Sequence, residues 1–467
     1  MDSGGYAKRS INENEVYNGG GHGLAFIFWL LEANAPKALV CGSAAAVITW
    51  AAGGSFFFFL AMCMLVPMVM LVGFGVSLVL DSIRDSSYSG TIDWTPYIDV
   101  KDTALARSYA GKKIPMETMV EAYMHEKIDF KMDPLQVLWQ RNDLFRFNIT
   151  LGHLKYFVAK FVGQLVVHSQ RADSAEVRDV YDRGNDFYNW FLGPTMIYTS
   201  GVYTSENDTL EEAQKRKLDT VCQKLQMKKG DRHLDIGCGW GTLLCHAAKF
   251  YGTTSTGVTL AKEQKKWGLD QAEEYGVSKN VNVLCMDYRD IPEEQKFDKI
   301  TCLEMAEHVG IKNFQTFLRQ VKSMLTEDGL FYLQIAGLRR AWQYEDLIWG
   351  LFMGTYIFPA ADASCPLGFV VSQLERAGFE VHSVENTGVH YGLTINCWYN
   401  NWVKNRKKVV AKYGEWWYRL WIIFLGWSTI VASQGSSTVF MITCHKNKSC
   451  FDRKGHWVGK KAIATQQ

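Results

Sequence analysis

The residues best placed for chemistry are Leu234-Asp235-Ile236-Gly237-Cys238-Gly239-Trp240-Gly241, where three alternating glycines follow an acid. Residues without a Cβ allow positive φ and let the backbone come within van der Waals distance of a ligand. A ligand bound at such a turn touches bare main chain. A phosphate-cradling loop is excluded, because no Gly-Lys-Ser/Thr closes the turn. A dinucleotide fold would need a third glycine where Thr242 stands, and an acid closing the next strand, where Gly257-Val258-Thr259-Leu260 has none.

What remains is D-x-G-x-G-x-G, the pattern of S-adenosylmethionine-dependent methyltransferases; the bland alternative is a chance glycine turn in an α/β domain. The elements that must position it are a short buried strand, Arg232 to Ile236, and a helix opening at Thr242 and running through Leu243, Leu244, Ala247 and Ala248. Later apolar runs predict strands over Leu330 to Ile335, Phe379 to Val384 and Ser437 to Cys444, with a helix from Ser364 ending at Gly378.

Composition narrows the partners. Fifty basic and 48 acidic residues leave a net charge of +2 over 467 residues, which is not a nucleic-acid-binding balance. The 11 cysteines form no C-x-x-C pair, so no zinc site and no bound metal is expected, and the thiols are read as reduced. From Ala38 to Leu80 no charged residue occurs. That run is roughly twice the ~20 residues needed to cross a bilayer. Gly53-Gly54-Ser55 near its middle predicts a two-helix membrane hairpin, and Lys8, Arg9, Lys37, Arg84 and Lys101 place both ends on the cytosolic side, as in the endoplasmic reticulum or a related endomembrane. A re-entrant wedge is the competing geometry, since Pro67 interrupts the second half.

The expected organisation is a disordered or interfacial N-terminus (1–36), the hairpin (37–81), a linker with short helices (82–143), a helical cap (144–210) and a catalytic domain (211–467). The cap is drawn from Leu151, Leu154, Phe157, Val158, Phe161, Val162, Leu165 and Val166 at three- and four-residue spacing.

YDRGNDFYNWFLGPTMIYTSG, TLEEAQKRKLD, LDIGCGWG, GVTLAKEQ, DYRD, EMAEHVG, YIFP and HYGLT, in this order from about Ala175 onward, resemble the cyclopropane-fatty-acid synthase group. Trp342 to Phe352 and Phe424 to Gly435 are similar to its sphingolipid carbon-9 methyltransferase branch. The resemblance implies a class I Rossmann-like domain with a seven-stranded mixed sheet whose last strand is antiparallel. It implies S-adenosyl-L-methionine held by Tyr198, Thr199, the floor Asp235, Ile236, Gly237, Cys238, Gly239, Trp240, Gly241, Thr242 and Leu243, then Thr259, Leu260 and Gln264, with Tyr288 and Arg289 near the adenine. The reaction implied is methyl transfer to an alkene, followed by proton loss from a carbocation.

In the group, a bicarbonate ion held by Cys, Glu, His and Tyr is the implied base. Glu307 and Tyr391 match that set, and His308 adjoins Glu307. The cysteine position is Ser200, the histidine position is Gln334, and a further cysteine position is Ser428, so bicarbonate carries over only in part. The aromatic stretches Trp342 to Phe358 and Trp398 to Ile430 are expected to form a lipid-chain tunnel facing the bilayer. The implied substrate is an unsaturated sphingoid base of a ceramide or glucosylceramide. A cyclopropane synthase acting on phospholipid acyl chains and a catalytically degenerate membrane scaffold or cofactor sensor are the alternatives.

Overall fold

The computed structural model describes residues 92–148, 183–340, 343–358 and 365–448 and a few isolated positions. All but isolated positions of the expected hairpin and of the expected cap helix from Leu151 to Val166 lie outside the described residues. Among the described residues no helix is long and apolar enough to cross a membrane.

Seven strands form one sheet: β1 (Arg232–Ile236), β2 (Thr254–Thr259), β3 (Val281–Cys285), β4 (Phe297–Leu303), β5 (Leu325–Leu338), β6 (Phe379–Asn386) and β7 (Ser437–Lys446), in the spatial order β6-β7-β5-β4-β1-β2-β3. β7 runs antiparallel to both β5 and β6, and the other neighbours are parallel. This is the expected class I sheet. The predicted strand 330–335 is the inner part of a longer β5, and the last two strands each extend two residues further than predicted.

The ten helices used below are α1 (Met116–Met124), α2 (Asn185–Leu192), α3 (Leu210–Lys224), α4 (Thr242–His246), α5 (Lys262–Glu274), α6 (Ile311–Met324), α7 (Tyr344–Phe352), α8 (Leu367–Ala377), α9 (Gly388–Lys404) and α10 (Glu415–Ser433). Alternation along β5 shows how the faces are divided. Phe331, Leu333 and Ile335 join the core with Phe317 and Val321 of α6 and Val370 and Leu374 of α8. Leu330 and Tyr332 join Leu218 and Val221 of α3 and Leu243 of α4. α3 begins with a capping box in which Thr209 and Glu212 bond each other's backbone N–H, and α8 ends, as predicted, on left-handed Gly378.

Residues 92–148 are not a linker. Ile98, Val120, Leu138 and Phe145 are buried in one apolar core with Trp402 of α9 and Trp421 and Trp427 of α10. α10 is buried on every side from Tyr418 to Ala432, as expected of a helix apolar all round. Its one buried cation, Arg419, donates to the carbonyls of Tyr123 and Ile128 and pairs with Asp129 at 2.7 Å. Phe145–Arg146, where the helical cap was expected to begin, is a short strand paired with Ile114–Pro115. The aromatics expected to line a lipid tunnel instead pack on one another, for example Trp349 on Trp427 with ring centroids 5.1 Å apart.

The glycine turn lies against β2 only because Gly257 has no side chain. A Cβ there would stand 2.4 Å from Leu244 Cδ1 and 2.7 Å from Cys238 Cβ. Gly257→Ala is expected to lose about 1–3 kcal/mol in chemical denaturation. Gly350→Ala, on an exposed turn of α7 with open space around it, should be neutral or gain up to about 1 kcal/mol. Equal effects at the two glycines would contradict this packing.

Candidate active site

A cavity of about 240 Å³ opens at the carboxyl ends of the parallel strands, where ligands collect in open α/β sheets. Its wall is built from the residues that close β1, β2, β3 and β4 (Gly237 to Trp240, Thr259 to Ala261, Met286 to Arg289, Leu303 to Met305), together with Met196 to Thr199. Of the residues expected to hold the cofactor, Tyr198, Thr199, Asp235, Gly237, Cys238, Gly239, Trp240, Thr242, Leu243, Thr259, Leu260, Gln264, Tyr288 and Arg289 line this one cavity. Ile236 and Gly241 do not. Ile236 is buried in the sheet core, and Gly241 packs on the Gly268 backbone, where a Cβ would meet its Cα at 3.2 Å.

The turn is pinned from three directions. The N–H groups of Gly237 and Cys238 both donate to the Val258 carbonyl. Gly237 has φ +78°, and a Cβ on it would overlap Met305 Cγ at 2.4 Å. The Trp240 indole donates to Asn185 Oδ1 at 2.8 Å, which ties the turn to α2. Asp235 is buried, and the Thr301 hydroxyl donates to it at 2.6 Å while also bonding His233 Nε2 at 2.9 Å. Burial raises the Asp235 carboxyl to about 6, against the opposing pull of Thr301 and Lys217.

On the other wall the Thr259 hydroxyl donates to Gln264 Oε1 at 2.6 Å, so a neutral pair stands where a dinucleotide fold carries an acid. Tyr288 is packed edge-on against Phe317, with ring centroids 5.3 Å apart, and Arg289 is held by Asp287. Tyr198 sits in an aromatic nest, 5.4 Å from both Phe191 and Trp398. Thr199 is fixed by α3: Gln214 donates to its carbonyl and Lys217 Nζ to its hydroxyl, both at 2.8 Å.

The four residues named for catalysis are not brought together on the cavity wall. His308 lines it; Glu307, Gln334 and Tyr391 do not. Glu307 Oε1 accepts from the Ala336 N–H at 2.5 Å, while its other oxygen is buried without a hydrogen-bond partner among the described residues. Burial, then the nearby Glu304 charge, raises the Glu307 carboxyl to about 8, so it is the protonated acid of the pair at neutral pH. Burial also lowers the His308 imidazole to about 4, which keeps it neutral. Tyr391 lies on α9, the helix that grips the segment after Thr199 through Thr394 to the Gly201 N–H (2.9 Å) and His390 to the Tyr203 N–H (3.1 Å).

Three charged residues on the wall have no role from the sequence: Lys217, Glu304, and Asp287, which holds Arg289. Lys217 is 1% exposed. Burial lowers its ammonium below the usual lysine value, opposed by the charges of Glu304 and Asp235. Glu304 closes β4 in the left-handed region at φ +52°, an uncommon conformation for a side-chain-bearing residue. The only sequence signal for it was an acid three residues before Glu307 in the same motif.

The folded protein keeps the Glu307 proton up to about pH 8, whereas an unfolded glutamic acid loses it near 4.5. The folded state therefore binds the extra proton, and this group's contribution to stability falls as pH rises through that window. Glu307→Gln, neutral throughout, should match the wild type at pH 5 and exceed it at pH 8 by up to about 4 kcal/mol. Thermal unfolding in paired buffers measures the gap, and a gap independent of pH would refute the assignment.

The family model described as mycolic acid cyclopropane synthetase matches residues 168–442. A sphingolipid C9-methyltransferase of Komagataella phaffii is 50% identical over 79% of this chain and 77% of its own. Sphingolipid C9-methyltransferase A of Emericella nidulans is 54% identical over 73% of this chain and 67% of its own. Among solved structures, the mycolic acid cyclopropane synthase CmaA1 in complex with SAH and CTAB superposes with a TM-score of 0.55 at 26% identity, over 58% of this chain and 98% of that one. With the glycine turn, the cavity and all of the mixed sheet but the end of β7 within the matched span, the chain belongs to the mycolic acid cyclopropane synthetase family.

Proposed function

We propose that this protein is an S-adenosylmethionine-dependent C-methyltransferase that places a methyl group on carbon 9 of an unsaturated sphingoid base, in a ceramide or glucosylceramide. The observation that carries the reading is one cavity holding both a glycine cradle and a buried carboxyl group, Glu304. Support for the substrate comes from relatives named sphingolipid C9-methyltransferases at about half identity over most of the chain.

The residues fit a sulfonium nucleoside. The carboxyls of Asp235 and Glu304 face a cavity whose buried cation is Lys217, which suits a positively charged sulfur, and the neutral Thr259–Gln264 pair suits ribose hydroxyls. Tyr198, Thr199 and Asp235 to Leu243 would hold the methionine and ribose parts, with Tyr288 and Arg289 beside the base. The group supplies an electrophilic methyl when bound. The chain's own work is to exclude water and to align a weak nucleophile, the alkene. It must also stabilise the resulting positive charge and remove a proton. Tyr198, on the cavity wall, offers an aromatic ring for that charge.

The charge-free stretch Ala38 to Leu80 supports a two-span hairpin that tethers the catalytic domain to the cytosolic face of an endomembrane such as the endoplasmic reticulum. A tethered enzyme meets its lipid in the plane of the bilayer.

Mass spectrometry of lipids from cells with and without the chain, separating sphingoid bases from acyl chains, tests the reading. One added methyl on an alkene-retaining sphingoid base is expected. Cyclopropane rings on acyl chains would replace the reading with a tethered cyclopropane synthase, and no change in either fraction would favour a scaffold.

A further inference from the structure

Glu304, half-buried on the cavity wall, is placed to do more than balance the charge of a sulfonium. Its Oε1 accepts two hydrogen bonds, from the Ser200 backbone N–H at 3.0 Å and from Gln334 Nε2 at 2.6 Å. Its own N–H donates to the Gln334 carbonyl at 2.8 Å, just past the Leu303–Gln334 rung between β4 and β5. Oε2 accepts no hydrogen bond from the described residues, and the residue, though deep in the fold, keeps part of its surface open to the cavity. One oxygen is fixed and the other is left for the ligand.

Two neighbours decide which of the paired acids carries the negative charge. Glu304 has the Ser200 N–H, the Gln334 amide and the nearby Lys217 ammonium, whereas Glu307 has only backbone N–H groups, those of Ala336 and its own, and no cation beside it. When only one of them is ionised, that one is Glu304. Burial raises its carboxyl above the ordinary value, and a carboxylate with a raised pKa is a stronger base than a solvated one.

Resting on the methyltransferase reading above, we propose that Glu304 is the general base of the reaction, a carboxylate built into the chain where the resemblance alone would have placed an external bicarbonate. The alkene π pair forms the new carbon–carbon bond to the methyl group as the methyl–sulfur bond breaks and its electrons stay on sulfur. The neighbouring carbon is left positive. Glu304 Oε2 takes the proton from the methylated carbon, and the freed C–H pair restores the alkene, giving a branched product and a carboxylic acid on the protein. An external anion would have to compete with this fixed charge for the same donors, Ser200 N–H and Gln334 Nε2. The glutamine is thereby accounted for as a holder of Glu304; at Ser200 only the backbone N–H takes part, and the hydroxyl donates instead to the Gly201 carbonyl at 3.0 Å.

The backbone adds an independent reason. A glutamate at φ +52° is held in a conformation that glycine would adopt without strain, and strained residues that persist cluster at functional sites. The same fact makes Glu304→Gly a variant that should fold.

The test uses the full chain with vesicles containing an unsaturated glucosylceramide, reading both the sphingoid product and the dissociation constant of S-adenosylhomocysteine by calorimetry. Wild type should turn over equally with and without bicarbonate. Glu304→Gln should lose about 100-fold or more in rate while binding S-adenosylhomocysteine within about threefold of wild type, and Glu304→Gly should regain rate when formate or bicarbonate is added. A Glu304→Gln rate within about fivefold of wild type, a wild type that stops without bicarbonate, or an equal collapse of S-adenosylhomocysteine binding would each overturn the proposal. Absence of any sphingoid product from the wild type would instead refute the methyltransferase reading and take this inference with it.

Discussion

Lys217, Asp235 and Glu304 share the wall of one cavity, and none of the three could be left there charged without the others. Removing an ion from water costs several kcal/mol even after relaxation, and that cost is offset only by opposite charge and well-aligned donors. The ammonium lies within the field of both carboxyls, Thr301 serves Asp235, and Ser200 with Gln334 serves Glu304. These partners come from five parts of the chain: α3, β1, β4 with its end, β5 and the segment after Thr199. The balance of charge therefore fixes how closely these elements approach.

A second, more distant shell keeps that approach from loosening. Arg141 and Glu345 form a buried pair, with Trp427 and Gln434 donating to the remaining carboxylate capacity. Breaking such a pair leaves an uncompensated charge and is strongly destabilising. The pair joins the 92–148 segment, α7 and α10. Through the shared aromatic core these hold α9, and α9 grips Gly201 and Tyr203 beside the residue that holds Glu304.

How much was legible in the sequence follows the range of the interactions. The glycine turn and its strand and helix are set within about ten residues, so Asp235 to Leu243 could be placed from local pattern, as could the Gly378 helix end. Glu304 was missed because nothing local marks it. Its partners are about a hundred residues upstream and thirty downstream, and its left-handed backbone is imposed by the end of β4. Glu307 and Gln334, named by motif, stand off the cavity wall: one is turned to the Ala336 N–H and the other lies behind Glu304. Residues 82–143 looked like a linker since their short helices carry weak periodicity, and their core partners lie nearly 300 residues away.

The insertion of β7 between β5 and β6 has a consequence for the order in which the molecule can be made. Both neighbours leave the ribosome before β7 does, so until residues 437–446 emerge the flank of β5 is an unpaired edge, open to association with other chains. The 92–148 segment waits as well, because Trp402, Trp421 and Trp427 come late in synthesis. Such long-range closure slows folding and exposes apolar surface to aggregation while it lasts. The nascent chain therefore passes through a long interval in which the 92–148 segment has no core, and quality control rather than catalysis is where late frameshifts and truncations would be felt.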